Sequence, residues 1–189
     1  MTPATPDTPA LPTKERLIWA AARLFHTQGY NGAGMAEILA EAKAPKGSLY
    51  HHFPNGKSDL ALAAATMASD VMLRVIAASF AEAKDFNDGA TTLCYKLAKL
   101  FDKSRHLAGC PISAMLFQDA ENGEFQAHAS RFYNGWIGEV EDHADRLGIS
   151  IEDAKHQAEH LFMLIQGAWQ LARARRCSQV LRDIPRFLS

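Results

Sequence analysis

The run Pro45-Lys46-Gly47-Ser48-Leu49-Tyr50-His51-His52-Phe53 decides how this chain of 189 residues is read. Only Leu49 and Phe53 are strongly apolar, and they stand four residues apart, the spacing of one helix edge. A helix over 46–52 is therefore anchored by a single edge and leaves Lys46, Gly47, Ser48, Tyr50 and His51 facing outward. It is too poor in apolar groups to be a core element. Its outward side chains are short or donor-bearing, suited to phosphates and base edges, and Gly47 allows close backbone approach.

Working outward, the preceding residues supply two more helices. Leu17, Ile18, Ala21, Leu24 and Phe25 form one apolar stripe, with Thr13 placed to cap its start and Gly29 to stop it. Turn residues fill 30–34, and a short helix over 35–42 puts Met35, Ile38, Leu39 and Ala42 on one face. Lys43-Ala44-Pro45 is a three-residue break, because proline disfavours helical geometry in the residue before it yet suits a helix start. Three such helices match a helix-turn-helix arrangement over 13–60. Beyond Phe53-Pro54-Asn55-Gly56 a long Ala-rich helix begins near Lys57, followed by helices over 88–103, 112–120, 124–147 and 151–176 and a short piece after Gln179. Gly109-Cys110-Pro111, Asn122-Gly123 and Gly148 separate them. No alternating strand pattern is present. The expected fold class is all-α: an N-terminal helix-turn-helix domain, then a second helical domain over 61–189. Residues 1–12, with four prolines, read as a disordered tail.

A composition of 48% hydrophobic and 22% charged residues is globular. No signal-peptide pattern opens the chain, and no apolar run approaches the ~20 residues that cross a bilayer. Cys94, Cys110 and Cys177 are odd in number and widely spaced. They read as reduced thiols of a cytoplasmic protein, two of them buried. Lys plus Arg is 20 and Asp plus Glu is 21, a formal charge of −1 that argues against a generic polyanion binder. The balance is uneven, however: residues 13–60 carry a net +2 and the remainder −3.

Residues 13–60, and above all Lys46-Gly47-Ser48-Leu49-Tyr50-His51-His52-Phe53 with Leu24-Phe25, Gly29-Tyr30, Ile38, Lys57 and Leu60, resemble the DNA-binding domain of TetR-family transcriptional regulators. Gly109-Cys110-Pro111-Ile112 and the two long helices after it are similar to the LmrA/YxaF-like branch. The resemblance implies a homodimeric, ligand-responsive regulator, usually a repressor, whose partners are a double-stranded DNA operator and a small-molecule effector. It places Lys46, Gly47, Ser48, Tyr50 and His51 on the recognition helix and Lys57 on a backbone phosphate, with Lys14 near the same backbone. The chain departs from the family pattern twice. Ala33-Gly34 stands where a capping hydroxyl contacts phosphate, and Lys43 stands where the turn usually has glycine, which offers a compensating phosphate contact.

For the second domain, the resemblance implies a ligand pocket, with Phe101, Met115, Phe117, Gln118, Phe132, Tyr133 and Met163 as its candidate lining. The long helices over 124–147 and 151–176 suit a four-helix dimer interface, with Trp136, Val140, His143, Phe162, Ile165 and Trp169 as candidates. The same stripes equally suit packing within one subunit. His156-Gln157-Ala158-Glu159-His160 matches a zinc-peptidase pattern formally, but only one acid, Asp183, follows to complete a site. No cofactor, metal site or catalytic constellation is therefore expected. The rival reading is a helical small-molecule-binding protein or enzyme that has lost DNA binding, favoured by the near-neutral charge and the missing hydroxyl.

Overall fold

A computed structural model describes residues 11–104, 110–119 and 121–188. Residues 1–10 of the expected tail, Gly109 of the expected break, and Ala120 lie outside them. Among the described residues every regular element is helical: α1 (Thr13–Gly32), α2 (Met35–Glu41), α3 (Lys46–His52), α4 (Lys57–Phe80), α5 (Phe86–Lys103), α6 (Pro111–Leu116), α7 (Gly123–Arg146), α8 (Ile151–Arg175) and α9 (Gln179–Arg182), closed by a 3₁₀ turn over Ile184–Phe187.

The ends of the helices follow from local chemistry. Asp85, Asn122 and Ser150 cap α5, α7 and α8 by accepting from the backbone N–H three residues on, at 2.8, 3.1 and 3.2 Å. These caps start α5 at Phe86 rather than 88. Thr13 does not cap α1; Pro12 precedes the helix without a side-chain cap, and Thr13 Oγ1 instead accepts from Arg16 Nη2 at 3.4 Å. Gly29 does not stop α1 either. Its φ of 77° kinks the helix, which continues to Gly32. α6 ends at Leu116 rather than near 120, and Phe117 and Gln118 leave it as a bend.

α4 is the axis of the molecule. It packs on α1, α5, α6 and α7, so the boundary expected at 60/61 falls within its first turn. Its most apolar 18 residues reach a mean hydropathy of 1.6, long and apolar enough by composition to match a membrane span, contrary to the expectation that no run does so. Packing on four neighbours takes up part of that apolarity: Leu60, Ala61, Ala64, Ala65, Met72 and Ile76 are buried. Small residues dominate its first turns, so α1 lies close against it with Leu17, Ala21, Leu24 and Phe25 inside. In the body, Trp136 is buried on α7; its indole N–H donates to Ser69 Oγ of α4 at 3.0 Å, and its ring stacks on Phe162 of α8 at 6.2 Å. Gly89 of α5 is required by contact, because a Cβ there would lie 2.2 Å from the Phe80 ring.

The turn between α2 and α3 ends α2 with a Schellman motif: Lys43 N–H donates to Ala40 O (3.1 Å) and Ala44 N–H to Leu39 O (3.0 Å). Lys43 occupies its left-handed position, at φ 49°. A side chain in that conformation costs on the order of 1 kcal/mol relative to glycine. Lys43→Gly should therefore raise stability by about 1 kcal/mol, read as a higher urea midpoint with unchanged slope. An unchanged or lower midpoint would show that the turn carries no strain.

His143 of α7 is buried, stacked on Phe80 at 5.3 Å, with Nε2 3.3 Å from the Glu139 carboxylate. Burial first and then Arg146 pull its pKa below the ordinary 6.5, against the opposing pull of Glu139 and Asp142. The unfolded chain therefore binds this proton more readily than the folded one. The resulting stability is fully present above pH ~6.5 and is lost as pH falls through the lower folded value. Melting temperature should drop on acidification below pH ~6.5, and His143→Gln should flatten that limb; an identical slope in the variant would refute the assignment.

Candidate nucleic-acid interface

The reading head is built from α1, α2, α3 and the start of α4. Leu49 is buried and Phe53 caps α3 from below, its N–H donating to Leu49 O at 2.7 Å. These two residues are the single anchoring edge. Lys46, Gly47, Tyr50 and His51 are exposed and Ser48 is half-buried, so the outward set stands together on one helix face as the sequence indicates. A Cβ on Gly47 would meet nothing within 4 Å. The space outside that position is open, so close approach by another molecule is sterically allowed there. Tyr50 is 50% exposed, with the flank of its ring beside Gly56 in the turn before α4. The His51 and His52 rings meet edge-on at 4.9 Å.

The surrounding cations divide into free and committed groups. Lys14 and Lys43 are exposed at the same end as α3. Lys57 is different: it is half-buried, its Nζ sits 4.8 Å from the centroid of the Tyr30 ring, and burial lowers its pKa. It is a cation–π partner of α1 as well as the first residue of α4. Tyr30 in turn meets Phe25 at 5.6 Å and the edge of Phe125 of α7 at 5.3 Å. α2 starts after Gly34 with no side-chain cap, as the missing hydroxyl implies.

Two features of the head are absent from the sequence reading. Arg16 gathers the turn: its Nε donates to Ala42 O (3.0 Å), Nη2 to Lys43 O (3.4 Å) and Nη1 to Leu11 O (3.0 Å). Arg23 forms a bidentate pair with Glu41. Both arginines were counted toward the local +2, and both serve the head's own geometry. Neither has a sequence signal, because the carbonyls that Arg16 binds and the carboxylate that Arg23 binds stand at no fixed spacing from them.

The body places the candidate ligand and dimer residues one by one. Phe101 is buried against the edge of Trp169 at 6.3 Å. Phe132 is half-buried beside His128. The Tyr133 hydroxyl is shared among Cys110 Sγ (3.2 Å), Ser113 Oγ (3.1 Å) and Gln166 Oε1 (3.4 Å), and burial raises its pKa. Met163 is 65% exposed, because the inward face of α8 is taken by Phe162, Ile165 and Trp169. Gln118 lies against Gly29, its Oε1 accepting the Asn31 N–H at 3.0 Å and its main-chain oxygen accepting from Asn31 Nδ2 at 3.2 Å. The seven residues do not converge on one cavity. Met115 lines a crevice of about 670 Å³ between α1 and α4, whereas Phe117 and Gln118 line a smaller one of about 340 Å³ beside Cys110.

The six dimer candidates, Trp136, Val140, His143, Phe162, Ile165 and Trp169, are all buried within this single chain. Their stripes join α7 to α8 and to the rest of the body, the second of the two arrangements the periodicity allows. Cys94 and Cys110 are buried and Cys177 is exposed; burial pushes the Cys94 thiol up to about 12. His156 and His160 meet at 6.2 Å, and among the described residues no group of three or more His, Cys, Asp or Glu gathers to hold a metal.

Comparison with known proteins places this geometry. Residues 17–64 match the family model for bacterial regulatory proteins of the tetR family, and residues 87–186 match the LmrA/YxaF-like C-terminal domain of transcriptional regulators. The regulator LmrA of Bacillus subtilis (strain 168) is 29% identical over 173 residues, 91% of this chain and 92% of that protein. YxaF of the same strain is 29% identical over 161 residues, 85% and 84% of the two chains. A TetR regulatory protein from Rhodobacter sphaeroides superposes with a TM-score of 0.80 at 22% identity, over 93% of this chain and 96% of the other. CifR, solved with a 26-base-pair double-stranded operator, superposes at 0.78 with 20% identity, over 96% and 97%. These relatives are regulators and not enzymes, and the head described above is their helix-turn-helix domain. The chain belongs to the TetR family of transcriptional regulators, in the branch defined by the LmrA/YxaF-like C-terminal domain.

Proposed function

We propose that this regulator is a homodimeric repressor that binds a double-stranded operator through α3 and leaves it when a small, apolar effector binds. The observation that carries the reading is α3 itself, a helix anchored by Leu49 and Phe53 alone, with Lys46, Gly47, Tyr50 and His51 presented outward. In this role Tyr50 and Ser48 reach base edges, while Lys14, Lys43 and Lys46 contact phosphates. Lys57 adds its charge from the Tyr30 ring, close to the start of α4, where helix-end amides favour an anion.

A second copy is needed for two half-sites about 34–36 Å apart. The face that supports such pairing is the outward side of α7 and α8. Gly135, Gly138 and Gly167 lie there, and a Cβ on any of them would meet nothing within 4 Å. Mid-helix glycine costs about 1 kcal/mol relative to alanine. Among the described residues nothing packs on these positions, and close approach of a partner helix would offset that cost. Exposed Met163 stands on the same side of α8 as Gly167. An effector that favours one of two head spacings shifts the equilibrium away from DNA, with coupling of about 1–3 kcal/mol.

Binding to DNA from the chain's own promoter region, measured against salt, tests the proposal. Affinity should fall steeply with salt, and Tyr50→Ala should lose about 1–3 kcal/mol of specific binding while nonspecific binding changes little. Absence of binding at low salt, or an equal loss on both DNAs, would sink the assignment of α3 as the reader.

A further inference from the structure

Lys57 is held in place at the start of α4 without being neutralised. Its Nζ lies 4.8 Å from the centroid of the Tyr30 ring, and among the described residues no carboxylate pairs with it. Asp59, the acid of the same helical turn, is engaged elsewhere. Its carboxylate accepts from the Asn55 N–H at 2.9 Å and from Asn55 Nδ2 at 3.1 Å. A salt bridge would place the ammonium and cancel its charge. A ring face places it through the aromatic quadrupole and leaves the full positive charge for another anion. A lysine side chain has many rotamers, and a contact made by an unplaced one is weakened by the cost of ordering it.

The ring that does this is itself fixed from two sides. Tyr30 meets Phe25 of α1 at 5.6 Å and the edge of Phe125 of α7 at 5.3 Å, and both phenylalanines are fully buried. Asn31, the next residue, is bonded to Gln118 through its N–H and its side chain. The Phe125 N–H donates to Asn122, the cap of α7. Burial first and then the charge of Asp119 raise the Tyr30 pKa, so the ring is a neutral phenol and not a counter-ion. From this geometry we infer that Tyr30 is a positioning residue for DNA binding, which holds the charged Lys57 ammonium where a backbone phosphate meets the start of α4. The inference rests on the operator-binding reading above and deepens it. Tyr30 acts through Lys57 alone: its π face is required and its hydroxyl is not.

Fluorescence-anisotropy binding of the full chain to DNA from its own promoter region, repeated over a range of salt, tests this. The proteins compared are the wild type, Tyr30→Phe, Tyr30→Met, Lys57→Gln and the double variant Tyr30→Met/Lys57→Gln. Lys57→Gln should lower the salt slope by about 0.9 per head, the loss of one phosphate contact. Tyr30→Met, which keeps much of the bulk but has no ring, should weaken binding on the order of threefold to tenfold per head. Tyr30→Phe should bind as the wild type does. In the Lys57→Gln background Tyr30→Met should change affinity little, because the group it places is gone. Circular-dichroism melting identifies a variant that has not folded, and Tyr30→Leu then takes the place of Tyr30→Met. A ring needed only for packing would cause the same loss with and without Lys57, and that result overturns the proposal. Wild-type affinity in Tyr30→Met, or an equal loss in Tyr30→Phe, overturns it too. If Lys57→Gln leaves slope and affinity unchanged, the inference falls while operator binding through α3 stands. If the wild type binds no DNA at low salt, the operator-binding reading falls and takes the inference with it.

Discussion

The position of α1 on α4 is the constraint on which the rest of the molecule depends. α1 is held at both ends by polar contacts that reach beyond it. Near its start, Arg16 ties the turn before α3 to the residues that lead into the helix. Near its end, Gly29 bends the backbone to φ 77° and admits Gln118, whose side chain and main chain both bond to Asn31. A side chain at position 29 would be strained by the dihedral and would displace the Gln118 amide, whose Nε2 lies 2.2 Å from where a Cβ would stand. One helix thus registers the reading face against the body, and α3 needs little anchoring of its own. The burial of Leu49 and Phe53 suffices because Arg16 fixes the turn that aims them.

The same arrangement redistributes the charge. The head's formal surplus includes Arg16 and Arg23, which are spent on carbonyls and on Glu41, and Lys57, which lies over Tyr30. The cations left free around α3 are few and are lysines. A head of this kind has weak general affinity for a polyanion, and the proposed function therefore rests discrimination on the side chains of α3 and on pairing two heads. Near-neutral charge over the whole chain is compatible with sequence-specific binding for that reason.

Much of this was legible in the sequence, though unevenly. The bounds of α3, the uncapped start of α2 and the strained Lys43 follow from residue types at fixed local offsets, and local offsets are what a sequence displays. The kink at Gly29 was half legible: glycine marked the place, but only Gln118, 89 positions away, shows why the helix bends and continues. The aromatic stripes of α7 and α8 illustrate the limit. Periodicity shows that Trp136, Phe162 and Trp169 are buried, but not against what, and they pack within the chain. The lining of the cavities was illegible for a related reason. Met and Phe at helical spacing define core, whereas the crevice is bordered by apolar residues that are exposed, such as Trp19 and Leu100, and exposure carries no periodic mark.

The central claim is that α3 of two paired copies reads DNA, and hydroxyl-radical footprinting on the chain's own promoter region tests it most directly. The account predicts two protected tracts on one face of the duplex, centred about 10–10.5 base pairs or a multiple of that apart, and lost together when Tyr50 and Lys46 are replaced by alanine. A single protected tract, a uniform footprint, or protection that survives the double replacement would contradict it.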